Sequence, residues 1–369
     1  MEWGEYRVDK LFEISRGNIS NQKALINDPE GIVFIAQNDS DNGFVNVVKP
    51  ENHKKFKGNS IIVGRQTGVV YYQEKDFITT DGVLVLIAKN NLIKNRNVGM
   101  VIASALTKKM FSFSYTNTVS AEKLKSLTIQ LPTKNSEIDF EFMESFIAEL
   151  EAQRIAELEA YLVATGLKDY TLTDKEREVL KEFENGNFKW KEFRIEEILK
   201  WQPQKEIDPL KLAELKDGSE PIYPFYGQST TNNGIISHNQ LINTVINNKN
   251  AAPTILIHSN NQNIVYLETP FYLKDGHGAT SVLQSEKLNK INQMFIIASI
   301  DIVIKNKYSY NNKATKIELK NTVINLPIQN QQPDYATMET FMSAIQKLVI
   351  KDVVLYADRK ISATKSVVQ

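Results

Sequence analysis

The stretch DFEFMESFIAELEAQRIAELEAYL, Asp139 to Leu162, decides the fold of this chain. Its apolar residues Phe140, Met143, Ile147, Leu150, Ile155, Leu158 and Leu162 fall on one side of an α-helix. It holds neither Gly nor Pro, and Glu, Ala, Gln and Arg fill most other positions, all compatible with a long helix. A second stretch of similar spacing runs from Tyr335 to Tyr356 through Met338, Met342, Ile345, Val349 and Val353. Met143-Glu144 and Phe146 recur there as Met338-Glu339 and Phe341. Two such helices predict a chain built twice.

The blocks ahead of the helices repeat as well. Trp3, Tyr6, Arg7, Val8 and Leu11 return as Trp190, Phe193, Arg194, Ile195 and Ile198. FIAQNDSDNGF (Phe34 to Phe44) lines up with FYGQSTTNNGI (Phe225 to Ile235), and SIIV (Ser60 to Val63) with TILI (Thr254 to Ile257). Asp81-Gly82 matches Asp275-Gly276, Ile102-Ala103-Ser104 matches Ile297-Ala298-Ser299, and Leu131-Pro132 matches Leu326-Pro327. So many anchors in one order do not arise by chance. The repeats predict domains at 1–136 and 187–333, a helical spacer at 137–186 and a C-terminal helix at 334–369.

Within each block, β-branched runs such as IIVGRQTGVVYY and GVLVLIA, bounded by Gly, Asn and Asp, read as strands and turns. Ile102 to Lys109 and Phe295 to Val303 read as buried helices, followed by a polar loop and a strand ending in Leu-Pro. Thr173 to Glu184 reads as a short helix opened by a Thr cap. The class is α+β.

A length of 369 residues calls for two domains, and 42% hydrophobic with 24% charged residues is the composition of a soluble globular protein. No apolar run approaches the ~20 residues that cross a membrane. The N-terminal MEWGEYRVDK lacks a signal-peptide core, so a cytoplasmic setting is expected. The absence of cysteine excludes disulfides and thiolate metal sites. Basic and acidic residues balance at 44 each, which argues against binding nucleic acid by bulk charge. The balance is uneven, however: Glu137 to Glu159 holds eight acidic residues and only Arg154 as a base, leaving the remainder more basic.

No phosphate-cradling loop, dinucleotide fingerprint or amino-methyltransferase Asn/Asp-Pro-Pro-Tyr motif is found in the sequence. Asp275 and His277 could form an acid–base pair, but Val83 stands at the corresponding place in the first copy, which favours a loop histidine. The sequence contains no recognisable catalytic centre.

Basic and polar clusters are better candidates. In the first copy they are Lys54, Lys55 and Lys57, the Arg65-Gln66 turn, Lys108, Lys109, Tyr115 and Lys123. In the second they are Gln228, Asn232, Asn233, His258, Asn260, Asn261 and His277, then Lys305, Lys307, Tyr310, Lys313 and Lys316. A solvated face would carry any one of these groups, but their recurrence ahead of Leu-Pro points to a surface used twice. Asn and Gln can read adenine edges and Arg guanine edges bidentately, while Lys holds phosphates.

The repeat openings WGEYRVDKLFEI and WKEFRIEEIL, the segment GNSIIVGRQTG and the paired strand–Leu-Pro–helix endings resemble the specificity (S) subunits of type I restriction–modification systems. They are similar too to the related type IIB subunits of the BcgI kind. The resemblance spans nearly the whole chain. It implies two tandem target recognition domains of mixed α/β structure, related by a pseudo-two-fold and separated by two long antiparallel coiled-coil helices. The helix seam would comprise Phe140, Met143, Ile147, Leu150, Leu158 and Leu162 with Met338, Met342, Ile345, Val349 and Tyr356. A helix of 24 residues would span about 36 Å, close to the ~34–36 Å repeat of the DNA major groove.

The implied partners are double-stranded DNA and two methyltransferase (M) subunits, with restriction (R) subunits allowed, and no membrane. The chain itself would be non-catalytic and without cofactor. S-adenosylmethionine, Mg²⁺ and, where the system uses it, ATP would belong to the partners. After Leu-Pro the copies continue TKNSEID and IQNQQP rather than the Pro-Leu-x-Glu-Gln stretch frequent in type I members, which leaves type I and type IIB open. The alternative is a duplicated protein-binding scaffold without direct DNA readout, which net neutrality would suit.

Overall fold

The computed structural model describes every residue except Glu51, Ser112, Ser114, Tyr115, Thr116, Tyr310, Val368 and Gln369, with side chains as far as Ala363. The chain divides into two compact units, Met1–Ala160 with Lys360–Gln369, and Tyr161–Arg359.

The first unit opens with β1 (Glu2–Arg7), α1 (Val8–Leu11), β2 (Phe12–Arg16), β3 (Asn27–Ile35) and β4 (Phe44–Val48). There follow β5 (Lys55–Phe56), β6 (Ser60–Gly64), β7 (Val70–Gln73), β8 (Phe77–Thr79) and β9 (Val83–Ala88). Helix α2 (Arg96–Met110), α3 (Ala121–Ser126), β10 (Thr128–Lys134), β11 (Glu137–Ile138) and the long α4 (Phe140–Ala164) complete the repeat. A wholly antiparallel sheet runs in the order β2-β9-β6-β7, and a mixed one, with β3 and β8 parallel, in the order β4-β3-β8-β5.

Strand β6 shows why these layers form. Its side chains alternate between faces, as a pleated strand requires. Ile61 and Val63 join Val98, Ile102 and Leu106 of α2 in one core, while Ile62 turns to the other side with Ile35, Phe77 and Val85. A strand buried at every position therefore lies between a helix and a second sheet. Helix α2 is capped by Asn95, whose side chain accepts from the Val98 N–H, and Gly99 lets it lie against the Tyr72 ring, which a Cβ there would strike at 2.3 Å.

After α5 (Asp174–Glu184), the second unit repeats this plan. It contains β12 (Trp190–Arg194), α6 (Ile195–Ile198), β13 (Lys200–Trp201), β14 (Glu206–Ile207), β15 (Tyr223–Tyr226) and β16 (Ile235–Asn239). Next come β17 (Thr254–His258), β18 (Ile264–Leu267), β19 (Tyr272–Lys274), β20 (Thr280–Gln284) and α7 (Asn292–Lys307). Helix α8 (Lys316–Asn321), β21 (Val323–Gln329), β22 (Gln332–Pro333) and α9 (Tyr335–Val367) end it. The order β13-β20-β17-β18 reproduces β2-β9-β6-β7, and β17 again splits its side chains, Ile255 and Ile257 one way and Leu256 the other. The copies differ at one sheet edge: β5 runs antiparallel to β8, whereas β14, drawn from an earlier part of its repeat, runs parallel to β19.

The strands expected to end at Leu-Pro continue past it, because Asn135-Ser136 and Asn330-Gln331 take left-handed backbone conformations and close the hairpins β10–β11 and β21–β22. The long helices start immediately beyond. Their first turns belong to the domain cores: Phe140 and Met143 pack in the first, and Met338, Met342 and Ile345 in the second. Burial along the expected helix seam is uneven. Val349 is 74% exposed, and Leu150 and Tyr356 lie on open faces, while Leu162, Val354 and Ala357 are fully buried. One apolar stripe is divided between a domain core at the helix start, a buried middle and an outward face.

Helix α5 is fastened to α9 by a buried carboxylate. The Thr173 side chain accepts from the Glu176 N–H, and Glu176 in return accepts from the Thr173 N–H, a capping box. Glu176 also accepts from Ser343 Oγ at 2.6 Å and Lys347 Nζ at 3.0 Å. Burial alone would raise its pKa, but these donors outweigh burial and hold it at about 2.

This uneven helix pattern is open to test by denaturant melting. Leu162→Asp should lower stability by about 3 kcal/mol or more, since it buries an unpaired charge, and Val349→Asp should change it by less than ~0.5 kcal/mol. Equal losses from the two would return Val349 to the seam.

Candidate DNA interface

At one end of the first repeat's sheets, the loops leaving β2, β3, β6 and β8 converge. Residues Gly64 to Gly68 make a tight turn in which the Gly68 N–H donates to the Gly64 carbonyl at 2.9 Å, with Arg65 and Gln66 at its tip. Gln37, just past β3, holds this turn from the side: its Nε2 donates to Gln66 Oε1 at 2.7 Å and its Oε1 accepts from the Gln66 N–H at 3.0 Å. Gly82 lies under the same amide, since a Cβ there would come within 2.9 Å of Gln37 Nε2. The Arg65 N–H donates to the Gly82 carbonyl at 2.9 Å.

The second repeat rebuilds the junction with other side chains. Gln228 takes the place of Gln37, and its Oε1 accepts from Asn260 Nδ2 at 2.6 Å while its carbonyl accepts from Asn261 Nδ2 at 2.7 Å. Asn263 Nδ2 donates to the Ser229 carbonyl at 3.1 Å. A Cβ on Gly276 would meet Gln228 Nε2 at 3.0 Å, as at Gly82. The repeated Gln and Asp-Gly anchors thus mark one physical device: a glutamine amide seated on a glycine and clasping the neighbouring loop.

The structure brings together Arg65 and Gln66 in the first repeat, and Gln228, Asn260, Asn261 and His258 in the second. It gives several other candidates different work. Asn232 and Asn233 adopt left-handed φ of 49° and 50° ahead of Gly234, matching Asp41-Asn42-Gly43, so their first task is to turn the chain. His258, at the end of β17, is fully buried beneath the Asn260 loop rather than facing a ligand. Its Nδ1 lies 2.9 Å from Thr280 Oγ1, and burial pushes its pKa down to about 4. His277 is exposed at a left-handed turn, where its backbone N–H donates to Asp275 at 2.8 Å, as expected of a loop histidine.

The lysines are spread over each domain surface. Lys54 donates to Ser15 Oγ at 2.5 Å, Lys57 pairs with Asp76 at 2.8 Å, and Lys123 donates to Asn117 Oδ1 at 2.9 Å. Lys305 pairs with Asp301 at 2.8 Å and Lys316 donates to Gln204 at 3.2 Å. Lys55, Lys108, Lys109, Lys307 and Lys313 are exposed. Tyr115 and Tyr310 lie outside the described residues. A residue missed by the sequence reading is Arg16, at the end of β2: it lines a polar cavity of about 240 Å³ together with Arg65, Gln37, Gln66 and Asp81. The signal available was an arginine set directly before Gly17, where any side chain would run into the Thr80 carbonyl.

These features define a tandem-repeat α+β protein whose two domains each present a braced polar loop cluster at the same end of the same sheets. The chain belongs to the type I restriction modification DNA specificity domain family, whose model matches residues 1–160 and again 187–355. It is 25% identical over 362 residues to the type II restriction enzyme BcgI specificity subunit S.BcgI of Heyndrickxia coagulans, covering 95% of this chain and 96% of that protein. The fold is similar to that of the type I restriction–modification S subunit from M. genitalium, with a TM-score of 0.61 at 15% identity, covering 99% of this chain and 94% of that one.

Burial of His258 makes the second repeat sensitive to pH. Its folded pKa lies below the ordinary 6.5, so between about 6.5 and 4 the unfolded chain binds the extra proton and stability falls as pH falls. From pH 7 to pH 5 this site should remove about 2 kcal/mol, read as a shift in urea midpoint. His258→Gln should flatten that dependence; an unchanged slope would place the titration elsewhere.

Proposed function

We propose that this chain is the sequence-reading subunit of a restriction–modification complex, each repeat reading one half of a bipartite, asymmetric duplex site. One observation supports the reading: a glutamine-braced junction occurs in both repeats, but it is closed by the Arg65-Gln66 turn in one and by Asn260 and Asn261 in the other. Identical scaffolds with different hydrogen-bonding tips suit the reading of two different half-sites. Arginine donates to guanine O6 and N7, and asparagine pairs with adenine N6 and N7. The exposed lysines hold phosphates and set position rather than sequence.

Cleavage and methylation are the work of partner subunits, which supply S-adenosylmethionine and Mg²⁺ chemistry. Methyltransferase subunits dock on the long helices, where Phe146, Val163, Leu348 and Val349 leave apolar surface open. Among the described residues no helix is long and apolar enough to cross a membrane.

Duplex affinity of the assembled complex should fall steeply with salt and depend on sequence. A protein-binding scaffold would show neither. Methylome sequencing should find Arg65→Ala relaxing one half-site and Asn260→Ala the other, each by about 1–3 kcal/mol of discrimination. Both variants relaxing the same half would refute the assignment of one repeat to one half. The purified chain alone, given plasmid, S-adenosylmethionine, ATP and Mg²⁺, should leave the DNA unchanged; activity that follows it through every purification step would contradict this.

A further inference from the structure

We infer that Arg16 is a second base-reading residue of the first repeat, and that with Arg65 it forms a guanine-reading cleft in which Asp81 positions Arg16. The inference rests on the DNA-reading function proposed above.

Arg16 stands at the end of β2 and Arg65 directly after β6, and both line the same polar cavity of about 240 Å³. Arg16 is fixed from one side only: its Nε donates to the Asp81 carbonyl at 2.6 Å and its Nη2 lies 3.4 Å from the Asp81 carboxylate. That contact leaves the Nη1 edge of the guanidinium for a ligand. Arg65 Nε makes a long bond to the Val119 carbonyl at 3.4 Å, and no carboxylate pairs with it among the described residues.

The surrounding groups decide which ligand fits. Gln37 Oε1 accepts from the Gln66 N–H, and Gln66 Oε1 accepts from Gln37 Nε2, so each amide oxygen already holds a donor. Both glutamines still have an N–H to offer, and arginine has only donors. Two guanidinium groups and a spare N–H on each glutamine thus line the cleft, and these donors suit an edge made of acceptors. Among the bases, guanine alone offers two adjacent acceptors, O6 and N7, on its major-groove edge; adenine and cytosine place an amino donor there. A phosphate also accepts, but the Asp81 carboxylate in the wall opposes a second anion, whereas it holds Arg16 in place for a neutral base.

The second repeat lacks the arginines for such a cleft. Between Arg194 and Arg359 the chain has no arginine at all, and the loop matching Asp81-Gly82 is held by a carboxylate instead. Glu206 Oε2 accepts from the Gly276 and Gly278 N–H groups at 3.1 and 3.2 Å. Guanine selection at this junction thus belongs to the first repeat.

The test uses the chain assembled with its methyltransferase subunits, measuring binding to a randomised duplex library over a salt series. Arg16→Lys keeps the charge but loses the planar fork. It should reduce preference for one guanine in the half-site that Arg65→Ala also relaxes, by about ten-fold or more, with the salt slope unchanged. Asp81→Asn should weaken preference at that same guanine. If Arg16→Lys behaves as wild type while Arg16→Ala weakens all sequences alike and lowers the salt slope by about one, Arg16 binds phosphate and the inference is overturned. A lowered melting temperature with intact preferences would show a purely structural arginine and overturn it too, as would Arg16 and Arg65 acting on different halves. A wild-type complex with no sequence preference would instead refute the proposed function itself.

Discussion

The constraint on which each repeat depends is the glutamine amide that joins two loops at the open end of the sheets. Loops leaving strand ends carry unpaired backbone groups and little apolar surface, so left alone they would sample many conformations. Gln37 and Gln228 remove that freedom by bonding the neighbouring loop, and Gly82 and Gly276 provide the room for the amide to do so. What projects beyond the brace can then change without disturbing the sheet. A surface that must be rigid and yet variable is well served by this separation of frame from tip.

The frame below is rigid for a different reason. Strands β6 and β17 are apolar on both faces, so each is committed to a helix-covered core and a sheet-covered core at once. A shift of register by one residue would exchange those faces and leave both cores mispacked. Even His258, a polar residue at the end of such a strand, is kept neutral and bonded to Thr280 rather than turned outward. The loop above it carries Asn260 and Asn261, and much of their hydrogen-bonding capacity is already directed at Gln228. The asparagine richness of the second repeat is therefore partly architecture, with readout confined to the groups left over.

The helices show how one periodic pattern can serve several masters. Their first turns complete the domain cores through Met143 and Met338, their middles bury Leu162 and Val354, and Val349 faces outward. The spacing of apolar residues is nearly the same throughout. Only the neighbour against each turn changes.

By itself the sequence determined that the chain is built twice, that each copy is α+β, and that each ends in a long helix. Those features are carried by local periodicity and by residues such as the Asp-Gly and Leu-Pro anchors, which keep their order in both copies. It also offered Arg65, Gln66, Asn260 and Asn261 as polar loop candidates, because they follow directly on apolar strands. Tertiary structure alone decided which side chains share a site. Arg16 and Arg65 are distant in sequence, and they line one cavity because β2 and β6 both pair with β9. Burial of His258, the turn-making role of Asn232 and Asn233 and the division of the helix stripe were likewise out of reach, since each depends on what packs against a residue and not on the residues beside it in the chain.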